Sequence, residues 1–476
     1  MAISSQGIGS GLDVNSIVTQ LVAIEKQPLQ TLQTKASTLQ SQLSLYGTIK
    51  SQVSALQDAA TVLATSSSWA AQTATSSNPL AVAVSADSTA SSTAFGVEVT
   101  ELARAQTTAS RSVTKDAPLG VAGPGVLSIQ LGSWDVTGNS FTPNAPGPGV
   151  PVTIDGSYTY TQIAAAINAA NAGVKATVLK DGTKERLTLQ SATTGFDAGF
   201  KISSNGAFAE LDSLSFSSLT NGVDSPNGMQ SGQTGLDAEL TINGVVVKSA
   251  TNVVANVVPG VTLNLLQKTP SGSPAQISVV QDKDAIQKNI QTFADAYSTL
   301  TKTLADSTKY VPGGVSGVLQ GDSTTVGIQT LVRRIVGSAS VGSTFSRLSD
   351  VGLEQQSNGS LKLNVTKLKT AMGDVGNLQK LFATDNSDST TNGFALKFRD
   401  LAKGLIASDG TVSNKSTALQ GAISRNGKDQ DKVTVRASVV EKQLRAQYSA
   451  LDAQMAKMNG LSSYVTAQLA QWNKAS

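Results

Sequence analysis

A narrow apolar seam runs along a predicted helix at each end of this chain. Leu29, Leu32, Ala36, Leu39, Leu43 and Tyr46 follow one another in alternating three- and four-residue steps, which places them on one helical face. Near the other terminus Val440, Leu444, Tyr448, Leu451, Met455 and Met458 repeat the pattern, followed by Val465, Leu469 and Trp472. A seam this narrow cannot enclose a globular core, yet it is too apolar to leave in water. Each terminal helix therefore needs another helix, from its own opposite end, from a second copy of the chain, or from both. The pattern points to assembly rather than catalysis.

Composition narrows the chemistry. The 476 residues suffice for roughly three domains of about 150 residues each. The chain has no cysteine and no histidine, which removes disulfides, thiolate ligands, the commonest general base and the Ser-His-Asp arrangement. Carboxylate-only enzymes such as glycosidases survive that exclusion, but no acidic pair stands out. A non-enzyme without cofactor or metal is expected. The Asp/Ser run Asp385–Ser389 lacks the glycine and closing glutamate of a calcium loop. With 36 basic against 33 acidic residues, aromatics at 4% and no basic stripe, nucleic-acid binding is not expected either. Residues 1–11 carry no Lys or Arg and no apolar run of about seven residues, so they do not form a general secretory signal. No stretch is long enough for membrane insertion. Two readings stay open here: a cytoplasmic protein with a Gly/Ser-rich start, and export by an apparatus that accepts a polar N-terminus.

Along the chain, Asp13 or Asn15 suits a helix N-cap, and Ile17, Val18, Leu21 and Ile24 form the face of a first helix. Gln27-Pro28 breaks it. The next helix runs to about Thr65, on the order of 55 Å. Its seam continues through Ile49, Val53, Leu56, Ala60 and Leu63, and the short step beside Gly47 marks where the helix leaves one bundle for another. From Trp69 the period changes to two. Residues 144–151 form a loop, 161–170 a short helix between strands at 152–160 and 174–180, and Asn243-Gly244 the tight turn of a hairpin. From Asp284 a helix returns with Ile286, Ile290, Phe293, Tyr297, Leu300 and Leu304 on one face. Further helices are predicted at 322–337, 365–382 and 392–407, and a last one from about 430. The expected fold is multidomain α and β: terminal coiled-coil helices and a helical bundle with nested, inserted β-rich (α+β) domains. The expected divisions are a terminal leg (1–40 with 435–476), a helical body (41–68 with 284–434), an inner β-rich domain (69–110 with 231–283) and an outer one (111–230).

The segment Ser5-Gln-Gly-Ile-Gly-Ser-Gly-Leu-Asp-Val14, with Ile17-Val18, Leu21-Val22, Glu25 and Pro28-Leu29, resembles the N-terminus of the flagellar filament-capping family, hook-associated protein 2. Gly96-Val-Glu-Val-Thr-Glu-Leu-Ala103 with Gln106 is similar to the strand opening that family's inserted region. Leu240-Thr-Ile-Asn-Gly244 and Pro259-Gly-Val-Thr-Leu263 are similar to its hairpin module. Leu444-Arg-Ala-Gln-Tyr448, Leu451-Asp452, Met458-Asn459, Tyr464 and Gln468-Leu469 resemble its terminal helix. The likeness is loosest over 111–230.

The resemblance implies a secreted structural cap at the distal tip of the bacterial flagellar filament, outside the cell. It also implies a ring-like homo-oligomer that promotes polymerisation of flagellin beneath it and keeps exported flagellin from leaking away. Implied partners are the chain itself, flagellin and the filament end, the flagellar export apparatus, and an export chaperone on the C-terminal helix. The expected contact seams are Leu29, Leu32, Leu39, Leu43, Leu444, Tyr448, Leu451, Met455, Met458, Val465, Leu469 and Trp472. Ile8, Leu12, Ile17 and Leu21 are the expected export and filament-insertion positions. The alternative is cell adhesion to a surface or host glycan through the outer domains.

Overall fold

The computed structural model describes residues 13–473, apart from 122, 136, 138–139, 221–223 and 226–227. Its helices are α1 (Val14–Glu25), α2 (Gln27–Ala64), α3 (Tyr160–Ala169), α4 (Ala209–Asp212), α5 (Lys283–Thr308), α6 (Ser323–Val336), α7 (Val365–Ala371), α8 (Val375–Ala383), α9 (Phe394–Ile406) and α10 (Thr411–Trp472). The chain divides into two compact units, a helical one built from both ends (1–69 with 284–476) and a β-rich one from the middle (70–283).

In the helical unit the apolar face of α2 from Tyr46 onward (Ile49, Val53, Leu56, Ala60, Leu63) is buried in one core with Ile286, Ile290, Phe293, Tyr297, Leu300 and Leu304 of α5. Phe382 of α8 and Phe398 of α9 complete it, each edge-on to Phe293 at centroid distances of 6.3 and 5.2 Å. Trp69 closes one end. Its ring stacks on Phe382 at 5.6 Å and its indole N–H donates to the Leu63 carbonyl, so the polar edge of a buried aromatic is satisfied where α2 stops.

A polar cluster closes the other side of this core. Asp322 caps α6 by accepting from the Thr325 amide (2.9 Å), accepts from the Tyr46 hydroxyl (2.6 Å) and pairs with Lys415 of α10. Burial alone would raise the Asp322 carboxyl; the hydrogen bonds from Lys415, Tyr46 and Thr325 outweigh it and hold the group at about 2, below its usual 3.8. Burial pushes the Tyr46 hydroxyl up, and its bond to Asp322 adds to that. Because the folded-state value lies below the unfolded one, the carboxylate stabilises the fold above the unfolded value. That stabilisation is lost as pH falls through the folded one. Asp322→Asn is expected to remove on the order of 2 kcal/mol at neutral pH. It should also flatten the acid limb of a urea-denaturation series between pH 4 and pH 2. An unchanged acid limb would show that this cluster does not govern it.

Two of the helix expectations need correction. The last helix starts at Thr411, not near 430, and runs unbroken across position 435. Its first turns bury only Val412, Leu419 and Asn426, one residue in seven, and Gly421 and Gly427 dilute the pattern further. Packing against the body, not local periodicity, sustains it. The predicted helix 365–382 is two helices, because Asp374 accepts from the Asn377 amide (3.0 Å) and caps a new start at Val375.

The β-rich unit holds two apolar clusters. The first lies between a five-stranded antiparallel sheet and a three-stranded one. The larger sheet has the order Gln72–Ser76, Ala275–Gln281, Thr93–Glu101, Ala238–Ile242, Val245–Ser249, and the smaller Val253–Ala255, Val261–Leu265, Val82–Ala86. The hairpin in the larger sheet turns at Asn243 (φ 49°) and Gly244 (φ 85°), the two left-handed residues that a two-residue turn matching strand twist demands. The second cluster gathers Leu127, Ile129, Ile154, Ile163, Ile167, Leu187, Leu189, Phe200 and Ile202 around α3. A capping box starts α3, with Thr159 and Gln162 each satisfying the other's backbone N–H. The preceding strand covers Val150–Asp155, shifted from the expected 152–160, because the Asp155 carboxylate accepts from the Ser157 amide (2.8 Å) and turns the chain.

Candidate functional site

The terminal helices carry the candidate site. Asp13 caps α1 by accepting from the Ser16 amide (3.0 Å), and Lys26 separates α1 from α2, which opens with Pro28 in its first turn. Val14, Val18 and Val22 form the buried face of α1 and pack on Ala437 of α10, with Leu444 and Tyr448 partly buried beside them. The two helices run antiparallel. Arg436 pairs with Glu25, while the Arg445 guanidinium donates to the Asn15 side chain (3.0 Å) and pairs with Glu441 (2.9 Å).

This corrects the expected face of α1. Of Ile17, Val18, Leu21 and Ile24, only Val18 is buried. Ile17 is half-buried, and Leu21 and Ile24 are 38% and 59% exposed. A two-helix contact buries one line of side chains, and the four-residue steps 14, 18, 22 lie on that line; Leu21 and Ile24 fall beside it. The spacing of the three valines and the small side chain of Ala437 are the sequence signals that mark this line, and the larger residues beside it obscure them.

The α2 seam residues Leu29, Leu32, Ala36, Leu39 and Leu43 are all half-buried, and Leu39 and Leu43 rest against the helical core. On α10 the cover runs out toward the C-terminus. Past Tyr448 only Asp452 and Met455 are partly covered among the described residues. Leu451, Met458, Leu461, Tyr464, Val465 and Leu469 are between 42% and 65% exposed. Ile8 and Leu12 lie outside the described residues, as does the Trp472 side chain. The structure thus brings Leu444 and Tyr448 together with α1, covers Met455 in part, and leaves Leu451, Met458, Val465 and Leu469 exposed.

Among the described residues no group of three or more acidic side chains is gathered as a metal site would require. The carboxylates of Asp385 and Asp388 are spent on their own loop, accepting from the amides of Ser387 and Thr390 at 2.9 Å each. No described helix is long and apolar enough to cross a membrane.

Comparison with known proteins gives this arrangement a family. The models for the flagellar hook-associated protein 2 N-terminus and C-terminus match residues 10–106 and 235–460. The flagellin hook IN motif matches 136–193, the stretch holding α3. Flagellar hook-associated protein 2 of Escherichia coli K12 is 28% identical over 98% of both chains. Its counterpart in Salmonella typhimurium LT2 is 28% identical over the full length of both. The crystal structure of the D1-D2-D3 domains of the Escherichia coli flagellar cap protein FliD aligns with a TM-score of 0.61 at 27% identity. That alignment covers 79% of this chain and 99% of that one. With the two family models together matching more than half of its residues, this chain belongs to the flagellar hook-associated protein 2 family.

Proposed function

We propose that this chain is a structural cap at the distal tip of the bacterial flagellar filament, where it promotes polymerisation of flagellin beneath it and keeps flagellin from leaking away. The observation that carries the reading is the end-to-end likeness to flagellar hook-associated protein 2, terminal helices included. In this reading the cap is a ring of several copies, secreted through the flagellar export apparatus. The α1/α10 pair, with the half-buried seam Leu29, Leu32, Leu39 and Leu43, is the leg that meets the filament end. The uncovered stripe Leu451, Met458, Val465 and Leu469 supports this, because an apolar line of that length in water favours a partner helix. The same stripe suits an export chaperone before assembly and the filament afterwards. The inner and outer β-rich domains, 69–110 with 231–283 and 111–230, form the plate. Attachment to host or surface glycans gains no support from the relatives, which are named for the flagellum and its cap.

The test is the partition of flagellin between attached filaments and culture medium in cells lacking this gene and in cells with it restored. Flagellin spilling into the medium, with filaments recovered on restoration, is the expected result. Normal filament growth without the gene would overturn the reading.

A further inference from the structure

A cavity of about 340 Å³ lies between the end of α6, the loop before α9 and the first turns of α9. Ile335 and Leu401 supply apolar wall, and Arg334, Asn392 and Lys397 supply donors. Lys397 is only 7% exposed, yet it forms no ion pair among the described residues. Its ammonium lies 5.2 Å from the centre of the Phe394 ring and donates to the Ser338 hydroxyl (3.1 Å) and the Ala339 carbonyl (2.6 Å), both just past the end of α6. Holding that helix end accounts for these two bonds. It leaves the third N–H and an uncompensated buried charge unexplained. Burial pulls the ammonium below the usual lysine range, and the charge of Asp388 offsets this only in part.

Two further donors line the cavity without acceptors of their own. Asn392 is 8% exposed; its side-chain oxygen accepts from the Asn386 amide (2.7 Å), while its NH₂ group has no partner among the described residues. The exposed Arg334 guanidinium has neither an ion pair nor a hydrogen bond among those residues. Asp400 also lines the cavity, but its carboxylate is engaged by Arg399 (2.8 Å). An ammonium, a guanidinium and an amide NH₂ are thus gathered at one partly apolar recess.

We propose that this cavity is a binding site for a carboxylate carried on a compact apolar group. The carboxylate oxygens accept from Lys397, Asn392 and Arg334, whose planar fork suits a carboxylate, and the apolar group packs on Ile335 and Leu401. Inorganic phosphate fits less well, because it offers those walls no apolar surface and brings a second negative charge close to Asp400. The same chemistry can be presented by a free organic acid or by an acidic side chain between apolar ones on another polypeptide.

The test uses the full-length protein and fluorine NMR. The fluorine line of para-fluorophenylacetate should broaden as protein is added, and that of the neutral para-fluorophenylacetamide should not. Arg334→Gln, at an exposed position, should weaken binding about tenfold, the effect of losing one charge-assisted hydrogen bond. Lys397→Met should abolish it. Because Lys397 also holds the end of α6, a circular dichroism melt accompanies that variant, and Arg334→Gln carries the test by itself if the fold is lost. Lys403→Gln removes an exposed charge from α9 outside the cavity and should leave binding unchanged. Competition with the peptide N-acetyl-Leu-Glu-Leu-amide separates the sources: displacement supports the site with a polypeptide as its ligand, and retention of the probe supports it with a free acid. An acid line that stays sharp overturns the proposal, as does equal broadening of the amide or equal weakening by Lys403→Gln. None of these readouts depends on the capping role, so the two proposals fail separately.

Discussion

Met458→Asp, Val465→Asp and Leu469→Asp, introduced together, are expected to leave the chain folded and to abolish retention of flagellin on the filament. The three side chains are 63%, 48% and 53% exposed, so aspartate there enters water rather than a core. What the isolated chain loses is helix propensity, about 0.5 kcal/mol per site, in a part of α10 that contributes no buried side chain to either apolar cluster. In an assembled cap the same positions would face a partner helix. A carboxylate buried there without a counter-charge is penalised by several kcal/mol, and each 1.4 kcal/mol is about a tenfold loss of association. Three such penalties exceed what a marginal helix-helix contact supplies. The check is paired: thermal unfolding of the purified variant by circular dichroism, and flagellin in the medium of cells carrying it. A native-like melt with flagellin spilled into the medium supports the stripe as the filament contact. A native-like melt with normal filaments removes the stripe from the mechanism and moves attention to α2.

How much of the fold is legible in the sequence depends on how much of each helix the fold buries. Where a helix is buried along a whole face, as α5 is at Ile286, Ile290, Phe293, Tyr297, Leu300 and Leu304, period 3.6 names the core residues directly. The α2 residues beyond Tyr46 are legible for the same reason. The face of α1 is not, because a two-helix contact needs only a line of valines, and the larger Leu21 and Ile24 dominate the periodicity while falling beside that line. The first turns of α10 are hidden by their composition. One buried residue in seven, with Gly421 and Gly427 among the neighbours, does not register as a helix, although the body holds it as one. The junction of α7 and α8 turns on a single cap at Asp374, a signal easily read as an ordinary interior residue. The distal stripe of α10 is legible as a seam. Its lack of cover is not, since a sequence does not say which partner an apolar face has found.

Phe293→Ala is expected to be the most damaging single substitution in the helical unit. The ring is fully buried and meets Phe382 and Phe398 edge-on, so its removal takes away both burial and aromatic packing at the centre of the bundle. Large-to-small changes of this kind destabilise by about 3–5 kcal/mol, because rigid neighbours cannot collapse into the space. Here α5, α8 and α9 all border it, and each is also tied elsewhere. Phe398 packs on Tyr297 at 5.7 Å and Phe382 on Trp69 at 5.6 Å, which holds the rings back from the vacated site. Urea denaturation followed by the helical signal should show the midpoint falling with little change in slope. Phe293→Leu, which keeps most of the volume, should recover the larger part of the loss. If alanine and leucine proved equally harmless, the aromatic cluster would not be what holds the body together. Stability would then have to come from the α2/α10 contact, where Leu39 and Leu43 are only half-buried and the seam is interrupted at Asn426. That contact is a poor substitute, because half-buried side chains contribute little against the entropy of ordering two long helices.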